Sequence, residues 1–207
     1  METDPTLPYS FSQFAHFWYT RVARPIRESL IDKLTSSPEF SLRNGFTVIV
    51  VDMQTGFLDD FDDKMRRRLI QSHFAVLEYC VKYDVPTAIL EYAERGRTIL
   101  DLCDVIERVP RHSYFIKRVD DGFSLPELKL QLEQWGNYDL LMMGINGSGC
   151  VLRTAESAVD NQFKVYTAES LTGDPLWLIE NPSNPAYRRW FKENGVYRRD
   201  HNSFLRK

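Results

Sequence analysis

Cysteine is scarce in this chain: three among 207 residues, at positions 80, 103 and 150. An odd count with no CxxC pair argues against a disulfide framework and for a reducing, cytoplasmic home. Long hydrophobic runs are missing too. The longest, such as Thr47 to Val51 and Leu140 to Ile145, fall well short of the roughly 18 to 20 residues a membrane helix needs. The opening Met-Glu-Thr-Asp has no basic segment leading into an apolar one, so no secretory signal is expected. An excess of one charge is likewise absent. Twenty-six Lys and Arg stand against 29 Asp and Glu, a net charge of -3, so nothing global draws the chain to nucleic acid or to an anionic membrane, and neither is expected as a partner.

What is present is an ordinary globular composition, 43% hydrophobic and 27% charged, which argues against disorder. The length fits a single α/β domain spanning 1–207. Residues 10–36 place Phe11, Phe14, Phe17, Trp18, Val22, Ile26, Leu30 and Leu34 near helical spacing, with Pro25 dividing two helices. These form an N-terminal helical extension over 1–40 whose aromatic stripe is expected to pack on the domain or across a subunit contact. The run from Phe46 to Asp52 is β-branched and continuous, the pattern of a strand buried on both faces. Beyond it, helical and strand patterns alternate. Helices are expected near 62–82, 97–107, 125–135, 148–160 and 183–194, and strands near 86–92, 113–117, 138–144 and 163–168. This rhythm predicts a three-layer sandwich around a mostly parallel, Rossmann-like central sheet. The segment 175–207 is read as a C-terminal helix and tail, with Leu171 to Pro185 a loop and the stretch from Tyr197 lacking periodicity.

In open parallel sheets the ligand sits beyond the carboxyl ends of the strands. Three reactive side chains fall there. Asp52 closes the first strand, Lys117 closes Tyr114-Phe115-Ile116, and Cys150 lies in the turn after Gly144. A cysteine in the first turn of a helix has its thiolate stabilised by the helix dipole and by a neighbouring ammonium, which Lys117 can supply. Asp52 can take the thiol proton and return it to a leaving group. The loop Gly144 to Gly149 has enough glycine to turn backbone N–H groups toward an anion.

Three segments carry a resemblance. Val50-Val51-Asp52-Met53-Gln54-Thr55-Gly56-Phe57-Leu58 resembles the D-x-Q-x-x-F-L pattern of the isochorismatase-like cysteine hydrolase superfamily, which includes isochorismatases, nicotinamidases and N-carbamoylsarcosine amidohydrolases. Lys117 followed by Phe123 resembles its K-x5-F, and Gly144 through Ala155 its G-x5-C-V-x-x-T-A. The match runs from about Phe46 to about Leu171 and leaves both ends outside it.

The resemblance implies a catalytic triad of Asp52, Lys117 and Cys150, an oxyanion hole from the backbone N–H groups of Asn146 and Cys150, and a cis peptide at Ile145–Asn146. It implies a cysteine-dependent hydrolase of a small-molecule amide or related non-peptide C–N bond, working without a cofactor in a homo-oligomer. Two alternatives stand beside it: a vinyl-ether hydrolase, which needs the Asp but not the Cys, and a non-catalytic binding or assembly protein on the same fold. The chain departs from the family where Gly147 replaces the usual Thr or Ser. It also lacks the Asp-x-His…His metal cluster of nicotinamidases, since His73 is the one histidine between Asp52 and His112, so no metal site is expected. Phe57 and Phe123, by motif position, and Trp177 are expected to wall the substrate pocket. Cys80 and Cys103 read as core filling. Asp59, Asp60, Asp62 and Asp63 read as an acidic helix N-terminus, Arg66, Arg67 and Arg68 as a solvated helix face.

Overall fold

The structure is a computed structural model that describes residues 45–178 and 185–205. These belong to the second of two compact units, Ser41–Lys207. The helices and aromatic stripe expected over 10–36 lie outside the described residues.

Strand β1 (Thr47–Val51) is buried along its whole length. Its side chains alternate between two cores: Val48 and Val50 join one cluster, Ile49 the other with Val51. That division follows from the period of two along a strand, and it requires apolar cover on both faces. Helices α1 (Thr55–Leu58), α2 (Asp63–Tyr83) and α3 (Leu100–Ile106) cover the first face through Leu58, Leu69, Val76, Leu77, Cys80, Leu102 and Val105. Helices α4 (Pro126–Trp135), α5 (Leu152–Asp160) and α6 (Ala186–Asn194) cover the second through Leu128, Leu132, Ala155, Ala158 and Phe191. Each fully buried Leu or Val contributes about 1.5 to 3 kcal/mol.

The remaining strands are β2 (Thr87–Tyr92), β3 (His112–Lys117), β4 (Asp139–Ile145), β5 (Lys164–Ala168), the two-residue β6 (Thr172–Gly173) and β7 (Val196–Arg198). They line up in the order β3-β2-β1-β4-β5-β7, with β6 beside the end of β4. Every pairing in this sheet is parallel. The fold is thus the expected mostly parallel α/β sandwich.

Local chemistry explains the boundaries. Asp62 caps α2, accepting from the N–H groups of Lys64 and Met65 at 2.9 Å each, so the acidic run serves the helix start. Helix α4 opens on Pro126 and stops at Gly136, which takes a left-handed φ of 73°. Two strands escape the sequence reading. β6 falls in the stretch read as a loop, Leu171 to Pro185, and β7 overlaps the tail from Tyr197 that lacks periodicity, pairing Tyr166, Thr167 and Ala168 with Val196, Tyr197 and Arg198. Three half-exposed residues at a sheet edge are too few to show an alternation.

Candidate active site

The carboxyl ends of β1, β3 and β4 converge on one rim. Tyr92 of β2 pairs with Lys117 of β3, and Val51 of β1 pairs with Gly144 of β4, so the strand register fixes the relative heights of Asp52, Lys117 and the loop leading to Cys150. Gly144 is required at this contact. Its φ is +146°, and a Cβ there would stand 2.2 Å from the Val51 carbonyl oxygen.

On β3 the even spacing puts Phe115 and Lys117 on the buried face and Tyr114 and Ile116 outward. Lys117 is therefore a fully buried lysine, its side chain 0% exposed, and a one-residue slip would turn it to solvent. Its Nζ donates to Oδ2 of Asp52 at 2.8 Å, with the Asp52 side chain also 0% exposed. Nζ lies 4.5 Å from the centroid of the Tyr92 ring, a cation–π contact that gives the ammonium a second partner. Asp52 sits at φ 54°, in the left-handed region that Asp tolerates better than most residues.

Oδ1 of Asp52 is buried with no hydrogen-bond partner among the described residues. Burial raises the Asp52 carboxyl above its ordinary value, and Lys117 pulls against it. Gln54, from the same motif, clamps the neighbouring strand. It donates to the carbonyls of Tyr92 at 2.9 Å and Gly96 at 2.6 Å, and accepts from the Tyr92 N–H at 2.7 Å.

Cys150 lies in a single π-helical turn, Gly147–Val151, that runs directly into α5. Here the structure corrects one expectation. The helix dipole and Lys117 do not act alone on the thiol: burial first, and then the charge of Asp52, push it above its ordinary value, while Lys117 pulls the other way. Sγ donates to Oδ1 of Asp120 at 3.5 Å. A second expectation also changes. No peptide bond among the described residues is cis; Asn146 instead takes a left-handed conformation, φ 57° and ψ 56°.

Asp174 organises the turn. It accepts from the Ser148 N–H at 2.7 Å and the Ser148 hydroxyl at 2.6 Å, and it draws on the Gly147 N–H as well. The N–H groups of Gly149 and Val151 go to the Asn146 carbonyl. Gly147 departs from the family for a steric reason, since a Cβ would meet Thr172 Cγ2 and Tyr187 Cδ1 at 2.8 Å each. Tyr187 of α6 occupies the space that a Thr or Ser would need.

A cavity of about 480 Å³ opens at this rim, lined by Tyr92, Val119, Asp120, Asp121, Arg153, Glu156 and Ser157. The loop after β3 is tied to α5 by Thr154, whose Oγ1 accepts from the Gly122 N–H at 3.0 Å and donates to the Cys150 carbonyl at 2.7 Å, and by the Ser157 hydroxyl donating to Asp121 at 2.8 Å.

Asp52, Lys117 and Cys150 are thus brought together as expected. The cavity wall itself includes none of these three, nor Phe57, Phe123 and Trp177. Phe57 is buried behind Tyr92, edge-on at 5.9 Å; Phe123 packs against Phe163 at 5.7 Å; Trp177 is 66% exposed and donates to Asp60 at 3.2 Å. Asp120, Tyr92 and Asp174 were missed. Asp174, in the sequence Thr-Gly-Asp-Pro, carries a turn signal; Asp120 and Tyr92 carry none. Among the described residues no group of three or more His, Cys, Asp or Glu is placed to hold a metal, and no helix is long and apolar enough to cross a membrane.

Comparison with known proteins gives a consistent picture. The family model for the isochorismatase domain matches residues 46–175. Among solved structures, the MAR1 ribonuclease of Caenorhabditis elegans is similar with a TM-score of 0.65 at 14% identity, over 77% of this chain and 78% of that one. A nicotinamidase of Staphylococcus aureus gives a TM-score of 0.63 at 18% identity, over 75% and 98%. An N-carbamoylsarcosine amidase of Thermoplasma acidophilum gives 0.61 at 15%, over 75% and 96%. No curated protein matches by sequence. At these identities the structural likenesses speak to the fold, and the chemistry rests on the site itself.

Proposed function

The chain belongs to the isochorismatase domain family, and from that premise we propose that it is a cysteine-dependent hydrolase of a small-molecule amide or related non-peptide C–N bond. The observation that carries this reading is the arrangement around Asp52. One oxygen is fixed by Lys117, the other is buried without a hydrogen-bond partner, and the carboxylate is close enough to the Cys150 thiol to act on it.

In this mechanism Asp52 Oδ1 takes the thiol proton as Cys150 Sγ attacks the carbonyl carbon, and Lys117 holds the remaining charge in place. Four of the six N–H groups from Asn146 to Val151 are engaged by Asp174 or by the Asn146 carbonyl. The family resemblance assigns the oxyanion to the N–H groups of Asn146 and Cys150. Collapse breaks the C–N bond, and the leaving nitrogen takes the proton from Asp52. Water, deprotonated by Asp52, hydrolyses the thioester, and the thiol regains its proton. A protonated resting thiol suits this sequence, because the base becomes the acid within one turnover.

Two variants test it against a panel of primary amides and ureido compounds. Cys150→Ala is expected to lose at least about 1,000-fold in turnover with unchanged thermal unfolding, and Asp52→Asn to lose as much. Activity that survives Cys150→Ala but not Asp52→Asn points to vinyl-ether chemistry. A ligand that stabilises the protein and is recovered unchanged points to a binding module.

A further inference from the structure

The cavity wall offers three carboxylates and one guanidinium, and their partners separate them. Glu156 is held by Arg153 at 2.8 Å. Asp121 accepts from the Phe123 N–H at 2.8 Å through one oxygen and from the Ser157 hydroxyl at 2.8 Å through the other. Asp120 is different. It is exposed to the cavity, and the thiol of Cys150 donates to its Oδ1 over a long 3.5 Å. A neutral thiol at that distance is a weak donor, readily replaced by an N–H or N⁺–H. Meanwhile the better-placed base, Oδ1 of fully buried Asp52, stands without a partner.

We propose that Asp120 is the specificity-determining residue of this site, accepting an N–H donor of a substrate whose polar end is uncharged or cationic (a ureido, amidino or primary ammonium nitrogen) and rejecting carboxylates. The inference rests on the nucleophile reading of Cys150. When the substrate nitrogen occupies Asp120, the thiol is displaced from it and turns to Asp52 Oδ1, so that recognition and proton transfer are linked. The carboxylate lies at contact distance from the thiol, where charge discriminates strongly between ligands of opposite sign.

Peptide-resolved labelling of the native full chain tests this without knowledge of the substrate. Cys150 is treated with the cationic 2-aminoethyl and the anionic 2-sulfonatoethyl methanethiosulfonates, and with neutral iodoacetamide. The cation-to-anion rate ratio, normalised to free 2-mercaptoethanol, cancels the ionisation of the thiol itself. Wild type is expected to favour the cation by about tenfold or more, and Asp120→Asn to reduce that ratio at least about fivefold. A ratio near one, a preference for the anion, or a preference that Asp120→Asn leaves unchanged overturns the role of Asp120 while the nucleophile reading stands. If Cys150 resists all three reagents, the thiol is closed to the cavity and the nucleophile reading itself fails.

Discussion

Two buried cysteines divide this molecule into regions of opposite character. Cys80 lies on α2 in the apolar layer, fully buried among Val and Leu side chains, and burial alone pushes its thiol up to about 12. Cys150, only 3% exposed, is also pushed up, but there a carboxylate and an ammonium act on it in opposite directions. Burial does not distinguish a reactive thiol from an inert one. Charged neighbours, and a cavity beside them, do.

The same contrast holds for orphan polar atoms. His73 on α2 donates through Nδ1 to the Leu69 carbonyl at 2.7 Å, and its Nε2 has no partner among the described residues. It is enclosed, and burial lowers its pKa to about 4. Asp52 Oδ1 is equally unpartnered but lies at the strand-end rim beside the thiol. One orphan is a consequence of packing; the other lies where the proposed mechanism needs a proton acceptor.

The largest stability effect is expected at the rim. Lys117→Met leaves Asp52 as an uncompensated buried carboxylate and is expected to cost about 3 to 5 kcal/mol in urea unfolding at pH 7. Adding Asp52→Asn to that variant should recover much of the loss, since the buried charge is then gone. A double-variant loss equal to the sum of the losses of Lys117→Met and Asp52→Asn alone would show that the two side chains are not energetically coupled.

A smaller effect is expected in the apolar layer. His73 has a folded pKa of about 4, below its ordinary 6.5, so the unfolded chain binds more protons between those values. The stability tied to its neutral form is therefore present above about pH 6.5 and is lost as pH falls toward 4. Between pH 7 and pH 5 this amounts to about 2 kcal/mol. His73→Met should flatten that part of the pH profile. An unchanged slope would place the acid sensitivity at other groups, His201 included, whose pKa is also lowered by burial.

How much of this was legible in the sequence differs between the two regions. The parallel sheet and its helices were readable because β1 is continuously β-branched and α2 and α4 carry cap residues where they start or stop. The gathering of Asp52, Lys117 and Cys150 was readable because they fall at strand ends within recognisable spacings. Asp120 was not, because its role depends on the loop being tied to α5 by Thr154 and Ser157, residues more than thirty positions away. Nor was the state of the thiol. The helix dipole and Lys117 were visible in the sequence, but the burial and the adjacent carboxylates that outweigh them arise only when the rim assembles. Gly147 was legible as a departure, but its steric reason, Thr172 on one side and Tyr187 on the other, exists only in the folded rim.

The most direct test of this account is the pH dependence of iodoacetamide labelling at Cys150 in wild type and Asp52→Asn, with Cys80 as internal reference. Burial raises the thiol first and the Asp52 carboxylate adds to it, so removing that carboxylate leaves the pull of Lys117 opposed only by burial and Asp120. The labelling midpoint of Cys150 is predicted to move to lower pH in Asp52→Asn, while Cys80 stays protected in both proteins. A midpoint that stays in place or moves upward would contradict the claim that the Asp52 carboxylate adds to burial in keeping the proton on Cys150.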